Sequence, residues 1–168
     1  MPKTNYEHYH KRRTVNCSAN VFPLVFIFSA PQDVPPETRK TEVNPVSEIR
    51  ILIVDDHEAI RQGVRSVLTQ YVGWEICGEA VDGEDAIAKA KSLEPDVIVL
   101  DIRMPKLGGL EAAKAIKTQL TKTKILFLTQ HDAAAMLPVA LQSGGQGLVS
   151  KYDMDRHLIP AIEALLEP

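Results

Sequence analysis

Apolar runs and helical repeats alternate along the chain from residue 49 onward. A short apolar run bounded by polar residues predicts a strand covered on both faces, because such a strand has no solvent side on which polar residues would alternate. Runs of this kind lie at residues 50–56 and 96–101, and further strands are predicted at 74–80, 124–129 and 147–151. Apolar residues repeating every three or four positions predict amphipathic helices at residues 57–68, 82–93, 109–119, 137–145 and 156–166.

Capping residues and prolines refine the helix boundaries. Asp82 is expected to cap the second helix, since its short side chain can accept a hydrogen bond from the first turn. Pro138 is expected in the first turn of the fourth helix, where a missing N–H costs nothing, and Pro160 is expected to delay or bend the start of the fifth. Five strands alternating with five helices require right-handed crossovers, and so predict an α/β fold of three layers with a parallel sheet between helices.

Residues 1–48 differ from the rest of the chain. A basic stretch near the start precedes an apolar segment at 21–30, and a proline-rich segment follows at 31–45. The apolar segment is too short to span a bilayer, and the bulky residue and proline around its end make a poor cleavage site for a secretory signal. We expect residues 1–48 to be a disordered or misassigned extension ending in a linker, with a weakly membrane-associating tail as the alternative, and residues 49–168 to form one domain.

Composition narrows the class of protein. The chain has 168 residues, of which 45% are hydrophobic and 24% charged, with a formal net charge of −3, which suits one globular domain. The mildly acidic balance gives no basis for sequence-independent binding to nucleic acid, which requires concentrated lysine and arginine. Cys17 and Cys77 offer neither a disulfide framework nor metal-ligand spacing. We expect Cys77 to be a small buried apolar residue and the reducing cytoplasm to be the compartment.

Polar residues follow four of the predicted strands. Asp55 and Asp56 end the first strand, Asp101 the third, Thr129 the fourth and Lys151 the fifth. Because the carboxyl ends of parallel strands share one edge of a sheet, these side chains are expected to lie close together. Clustered carboxylates repel one another unless a cation joins them, and their oxygens favour Mg²⁺. Each residue alone has an ordinary structural explanation, such as a helix cap or a surface lysine, but their joint order favours a common site.

The same residues carry a resemblance to a known family. Together with the sequence ILIVDDHEAIRQGVRSVL at 51–68, they make residues 50–166 resemble the receiver domain of bacterial two-component response regulators, in particular the NarL/LuxR-type branch. Pro105 and Gly109 match the proline and glycine that follow the central aspartate in that family. The resemblance implies a flavodoxin-like, doubly wound sheet with strand order 2-1-3-4-5.

The resemblance also implies roles for the polar residues. Asp101 would be the phosphoacceptor of a phosphorelay, and Thr129 and Lys151 would contact the phosphoryl group. The implied ligands of a magnesium ion are Asp55, Asp56, Asp101 and the backbone carbonyl of Arg103. A sensor histidine kinase would donate the phosphoryl group, and the aspartyl phosphate would reorder the fourth helix and allow homodimerisation. The family comparison therefore implies a cytoplasmic signalling module rather than an enzyme, with no membrane span and no direct contact with nucleic acid.

Several positions depart from the family pattern. Leu148 stands where Tyr or Phe is usual, so an aromatic switch is unavailable, and Gly108 replaces a usual Asp or Asn, which predicts a more mobile loop. Gln130 is larger than the residue expected there and would restrict access to the site. By family analogy, Arg103 and His131 flank the phosphorylation site and are expected to tune the rate of dephosphorylation.

The sequence lacks the signatures of two other classes of protein with related folds or chemistry. A phosphatase of the haloacid dehalogenase type would carry Asp-x-Asp-x-Thr on the first strand, and residues 55–59, DDHEA, lack that pattern. A flavodoxin-like cofactor binder would need a Ser/Thr/Gly-rich phosphate loop after the first strand, where this sequence has the acidic DDHEA. Two alternatives stay open: a pseudo-receiver that serves only as an interaction module, and a fragment of a DNA-binding regulator whose helix-turn-helix is absent from this sequence.

Overall fold

The computed structural model describes residues 48–167, so the expectations for residues 1–47 lie outside the described part of the chain. The strands are β1 Ile49–Val54, β2 Trp74–Ala80, β3 Val97–Asp101, β4 Lys124–Thr129 and β5 Gly147–Ser150. The helices are α1 Glu58–Leu68, α2 Gly83–Leu93, α3 Gly109–Gln119, α4 Ala133–Gln142 and α5 Met154–Leu166. Within this range, every helix is too short or too polar to cross a bilayer.

The five strands form one parallel sheet in the order β2-β1-β3-β4-β5. This confirms both the α/β class and the strand order that the resemblance implied. The chain leaves β1 toward β2 on one side and returns to β3 on the other, so the connections diverge between β1 and β3. In sheets of this kind, ligands bind in the crevice outside the carboxyl ends of the strands at such a switch point.

The sheet is covered on both faces, as the unbroken apolar runs predicted. Ile51 and Ile53 of β1 pack with α1 and α5, whereas Leu52 and Val54 pack with α2, α3 and α4. All four side chains are inaccessible to solvent. Fully burying an aliphatic side chain of this size contributes about 1.5–3 kcal/mol to stability, so the two cores hold the strands firmly in place. The strand ends that carry the polar residues are therefore rigidly positioned.

The fourth helix starts earlier than predicted. It begins at Ala133, because the side chain of Asp132 caps it by accepting a hydrogen bond from the backbone N–H of Ala134 at 2.9 Å. Pro138 therefore lies inside the helix, and its expected place in the first turn was wrong. A proline there cannot donate to the carbonyl of Ala134. Alanine-rich sequence after a capping aspartate outweighs this loss.

The fifth helix also starts earlier than predicted, for a different reason. It begins at Met154, and Pro160 lies in its interior on an exposed face. The prediction that Pro160 delays the start of the helix was therefore wrong. The helix extends across the position because the turns on both sides pack Leu158 and Ile162 into the core.

Smaller details agree with the sequence or shift by a few residues. The cap formed by Asp82 is confirmed, since its side chain accepts a hydrogen bond from the backbone N–H of Asp85. Strands β1 and β5 end just before Asp55 and Lys151, so these residues begin the loops at the carboxyl edge. Cys77 is half-buried rather than fully buried, and its Sγ lies 3.4 Å from the carbonyl oxygen of Ile51.

Candidate functional site

The acidic residues of the site are fixed by the central strands. Asp55 directly follows β1, which is paired on both sides, and its side chain is fully buried. Its Oδ1 accepts a hydrogen bond from the backbone N–H of His57 at 2.9 Å. Asp101 is the last residue of β3 and is only 4% exposed. The sheet thus brings two carboxylates from neighbouring strands to one buried point.

Lys151 lies between these two carboxylates. Its Nζ is 2.6 Å from Oδ2 of Asp55 and 2.8 Å from Oδ2 of Asp101. The residue is held there because its backbone N–H donates to the carbonyl of Thr129 at 2.7 Å, which extends the pairing of β4 and β5 by one position. One ammonium group is therefore shared by two buried carboxylates, and Asp56 adds a third nearby negative charge. The site has more negative than positive charge.

This shared ion pair changes the protonation equilibria of both partners. Burial raises the pKa of Asp101, and the carboxylate of Asp55 adds to the increase, while Lys151 and the backbone of Arg103 oppose it. Burial alone would lower the pKa of Lys151, but the carboxylates of Asp101 and Asp55 outweigh burial and raise it. An ion pair ordinarily lowers the pKa of its acid. Here the single ammonium serves two acids, so Lys151 stays charged while Asp101 lacks full compensation.

A cleft of about 110 Å³ opens beside Asp101. It is lined by His57, Asp101, Ile102, Arg103, Thr129, Gln130, His131 and Lys151. Thr129 is buried, and its Oγ1 accepts a hydrogen bond from the backbone N–H of His131 at 3.0 Å, which orients the hydroxyl group. A hydroxyl that accepts one bond in this way can still donate its hydrogen to a bound oxyanion. The cleft can therefore present both a hydroxyl and an ammonium group to a ligand on Asp101.

The acidic residues fit a divalent cation. Asp55 Oδ2 and Asp56 Oδ1 are buried, and neither has a hydrogen-bond partner within residues 48–167. Nζ of Lys151 lies 2.6 Å from Asp55 Oδ2, and Nδ1 of His57 lies 2.9 Å from Asp56 Oδ1. Oxygens left in this state are suited to a cation such as Mg²⁺, which prefers carboxylates and water. The ligand atoms of Asp55, Asp56 and His57 all lie within 4.8 Å of one another.

The structure brings the predicted site residues together. Asp101, Arg103, Thr129 and Lys151 line the cleft, and Asp55 joins them through Lys151. Two further contributors were not predicted from sequence. The sequence pattern predicts His57 only as the start of a helix. Arg61 donates from Nη1 to the backbone carbonyl of Asp55 at 2.9 Å and from Nε to Glu79 at 3.1 Å, so it anchors the acidic loop from outside.

The loop between β3 and α3 is tied to the neighbouring helix. Nζ of Lys106 lies 2.6 Å from Oδ2 of Asp82, the capping residue of α2. The N–H of Asp85 and then Lys106 lower the pKa of Asp82, so this acid is negatively charged at neutral pH. The N–H of Gly83 also donates to the carbonyl of Leu107 at 3.1 Å. These contacts connect the loop after Asp101 to α2, and no sequence pattern pointed to them.

Comparison with known proteins gives the family. Residues 51–163 match the model of the response regulator receiver domain. The chain is 39% identical over 117 residues to the transcriptional regulatory protein YxjL of Bacillus subtilis, covering 70% of this chain and 54% of that protein. It therefore spans about half the length of the relatives it matches.

Solved structures agree with this match. A two-component response regulator of the LuxR family from Aurantimonas is 34% identical, with a TM-score of 0.66 over 70% of this chain and 84% of that one. The isolated receiver domain of RcsB from Salmonella enterica, determined in the presence of the phosphomimetic BeF3−, is 28% identical, with a TM-score of 0.65 over 70% and 88% of the two chains. The chain belongs to the response regulator receiver domain family, and its relatives are of the LuxR/NarL type.

Proposed function

We propose that Asp101 accepts a phosphoryl group from a sensor histidine kinase, in the cytoplasm, and that phosphorylation switches residues 49–168 between two conformations. The observation that carries this proposal is the ammonium of Lys151 shared between Asp55 and Asp101, beside an open cleft. Such an ammonium can turn to a phosphoryl oxygen once Asp101 is modified. The Salmonella RcsB domain determined with a phosphomimetic supports the same role by similarity.

The chemical step requires little of the protein beyond positioning and charge. A carboxylate oxygen of Asp101 attacks phosphorus in line and forms an O–P bond, while the P–N bond to the kinase histidine breaks. The imidazole leaves with the electron pair of that bond and takes up a proton. The ammonium of Lys151 and the hydroxyl of Thr129 then donate hydrogen bonds to oxygens of the phosphoryl group on Asp101.

A divalent cation belongs to this proposal. Asp55, Asp56, Asp101 and the backbone carbonyl of Arg103 would hold Mg²⁺, on the evidence of the buried carboxylate oxygens that lack hydrogen-bond partners. When bound, Mg²⁺ supplies positive charge that neutralises the oxygens of the transferring group. The ligand atoms of Asp55, Asp56 and His57 lie within 4.8 Å of one another, and Oδ2 of Asp101 lies 2.8 Å from Nζ of Lys151.

The added charge on Asp101 would drive the conformational change. An aspartyl phosphate adds about −1 to −2 charge at the end of β3, which attracts Thr129 and Lys151 and shifts the start of α4. Leu148 is half-buried against the core beneath α4, so the movement would pass through backbone and helix shifts rather than an aromatic side chain. The relatives are transcriptional regulators about twice as long as the matched region, which supports a transcriptional output. Homodimerisation on phosphorylation is part of the proposal, by resemblance to the family.

Intact mass measurement after incubation with acetyl phosphate and Mg²⁺ tests the proposal. We expect the wild-type chain to gain the mass of one phosphoryl group and Asp101→Ala to gain none. Asp96→Asn is the matched control, because Asp96 precedes the same strand at its opposite, exposed end and should not affect the adduct. An unmodified wild type would contradict the proposal and favour a pseudo-receiver, and an adduct that persists in Asp101→Ala would contradict it by showing that another residue is the acceptor.

A further inference from the structure

The loop of residues 102–108, which follows Asp101, is held at its far end against α2. Nζ of Lys106 lies 2.6 Å from Oδ2 of Asp82, the residue that caps α2. The side chain of Asp82 is only 7% exposed, whereas that of Lys106 is 66% exposed. A carboxylate buried to this extent needs partners for its charge, and the ammonium of Lys106 adds to the capping N–H of Asp85. The lysine therefore joins the loop to the helix.

The backbone of the loop is also in close contact with α2. Leu107 accepts a hydrogen bond at its carbonyl from the N–H of Gly83 at 3.1 Å. A Cβ on Gly83 would lie 2.5 Å from that carbonyl oxygen, so no side chain separates the two segments. Lys106 has φ 63°, in the left-handed region that disfavours residues other than glycine. Such a conformation persists only where surrounding contacts hold it, and the ion pair with Asp82 is one of these contacts.

The same loop forms one wall of the cleft beside Asp101. Ile102 and Arg103 line that cleft, and the backbone of Arg103 lies close enough to the carboxylate of Asp101 to oppose the rise in its pKa. The loop is fixed on the strand side, where the N–H of Ile102 donates to the carbonyl of Leu128 at 3.2 Å. On the other side of Arg103, the ion pair of Lys106 fixes it. The place of the Arg103 backbone therefore depends on both attachments.

We propose that Lys106 is a positioning residue for the phosphorylation of Asp101. By pairing with Asp82, it holds the loop against α2 and so keeps the backbone of Arg103 in place beside the acceptor carboxylate. Lys106 does not line the cleft, so it acts through the loop rather than on the phosphoryl group. This inference rests on the proposed function, because it concerns the rate of the same reaction, and it assigns a role to an ion pair outside the cleft.

Rates of phosphorylation of the full chain by acetyl phosphate and Mg²⁺, followed by intact mass, test this inference. Lys106→Met removes the charge and keeps a long side chain, and Asp82→Asn removes the charge but keeps an oxygen that can cap α2. We expect either variant to slow phosphorylation about two- to fivefold, because an ion pair with one exposed partner contributes modestly. The double variant should be no slower than the slower single variant, and Lys106→Arg should retain most of the wild-type rate.

Deuterium exchange of the Gly83 amide gives a readout that does not depend on phosphorylation. This N–H donates to the carbonyl of Leu107, so it is released when the loop leaves α2. We expect it to exchange about two- to fivefold faster in Lys106→Met than in wild type, in proportion to the weakened ion pair. Lys89→Met is the matched control, because Lys89 pairs at 2.9 Å with Asp85 of the same helix rather than with the loop. It should change neither the exchange nor the phosphorylation rate.

The outcomes separate this inference from the proposed function. Wild-type rates of phosphorylation and exchange in Lys106→Met would overturn the positioning role and leave the proposed function intact. Additive slowing in the double variant would also overturn it, since the two side chains would then act independently. Lys106→Gly accepts the left-handed conformation but cannot pair with Asp82, so a wild-type rate in that variant would show that the ion pair is not needed. If the wild-type chain gains no phosphoryl group, the proposed function fails and the positioning role fails with it.

Discussion

Strand β4 has a buried threonine at each end, and the two have opposite roles. Thr123, just before the strand, donates from Oγ1 to the carbonyl of Pro95 at 2.9 Å. Thr129, at the carboxyl end, accepts a hydrogen bond at Oγ1 from a backbone N–H and can direct its hydrogen into a cleft. The hydroxyl of Thr123 is used within the fold, whereas that of Thr129 is available to a ligand.

The two edges of the sheet differ in the same way. A larger cleft, of about 360 Å³, lies at the amino edge, between the segments 94–96 and 119–123. Its polar groups are satisfied by the chain: Nζ of Lys117 donates to the carbonyls of Thr121 and Thr123. The smaller cleft at the carboxyl edge contains the unbalanced charges. The larger cleft is therefore not the candidate site, which is identified by its uncompensated buried charge.

Removing Lys151 should have the largest effect on stability at the carboxyl edge. Lys151→Met leaves Asp55 and Asp101 facing each other without a counter-ion, and removing one partner of a buried pair costs about 3–5 kcal/mol. We expect the free energy of unfolding at neutral pH to fall by that amount in a urea titration. Added Mg²⁺ should restore part of it, because an ion that binds only the folded state stabilises that state.

Lys117→Met is the control at the amino edge. It removes hydrogen bonds to two carbonyls but no buried ion pair, so a loss of about 1 kcal/mol is expected. Mg²⁺ should not change that loss. If the two lysine variants were equally destabilised and equally insensitive to Mg²⁺, the electrostatic difference between the edges would be refuted.

Substitution of Gly109 should have the next largest effect on the free energy of unfolding. A Cβ at this position would clash with the backbone carbonyl of Asp101, so Gly109→Ala must displace either α3 or the end of β3. Overpacking of this kind typically costs about 1–3 kcal/mol, and we expect slower phosphorylation by acetyl phosphate. Gly63→Ala in α1 is the control. Its Cβ meets only the flexible end of Met154, so thermal melting should show equal or greater stability, with unchanged phosphorylation.

The two threonines allow a matched pair of substitutions. Thr123→Val leaves the carbonyl of Pro95 without its donor and should lower the free energy of unfolding by about 1–2 kcal/mol, with no effect on phosphorylation. Thr129→Val should be less destabilising but should slow phosphorylation by acetyl phosphate. Urea unfolding and intact mass kinetics measure both quantities. The same ranking of the two variants in both measurements would contradict distinct roles for the two ends of β4.

Asp101→Asn should produce the smallest change in stability, and it should be a gain. Because the folded-state pKa of Asp101 is raised above its unfolded value, the carboxylate costs stability above that unfolded value. The variant should therefore melt a few degrees higher than wild type at neutral pH. The difference should disappear as the pH falls through the folded-state pKa toward the unfolded one. A variant that melts lower at neutral pH would show that Lys151 fully compensates Asp101.

Much of the fold was predictable because its strands β1, β3 and β4 are rich in buried apolar residues. The exceptions are positions where a proline disfavours a helix but a cap or core packing favours it. Pro138 and Pro160 suggested late helix starts, but a capping Asp132 at one helix and core packing at the other override a single missing hydrogen bond. Such outcomes depend on tertiary packing, which no local pattern contains.

The candidate site was predictable where a residue ends a strand. Asp55, Asp101, Thr129 and Lys151 follow apolar runs, and a parallel sheet necessarily brings those positions to one edge. His57 and Arg61 were missed because their contribution depends on side-chain direction. The contact of Arg61 with Glu79 joins α1 to β2 across 18 residues of sequence, and nothing in the composition of either segment indicates it.

Pro138 leaves the first turn of α4 less firmly attached to the rest of the helix. Because it withholds a hydrogen bond from the carbonyl of Ala134, the first turn of α4 is joined to the rest of the helix by fewer bonds than a regular helix has. That turn follows Thr129 by only a few residues. Local opening there costs less free energy than unwinding α3, so its amides should exchange with deuterium sooner. A change at Thr129 can then alter the surface of α4 while the sheet beneath it keeps its hydrogen bonds.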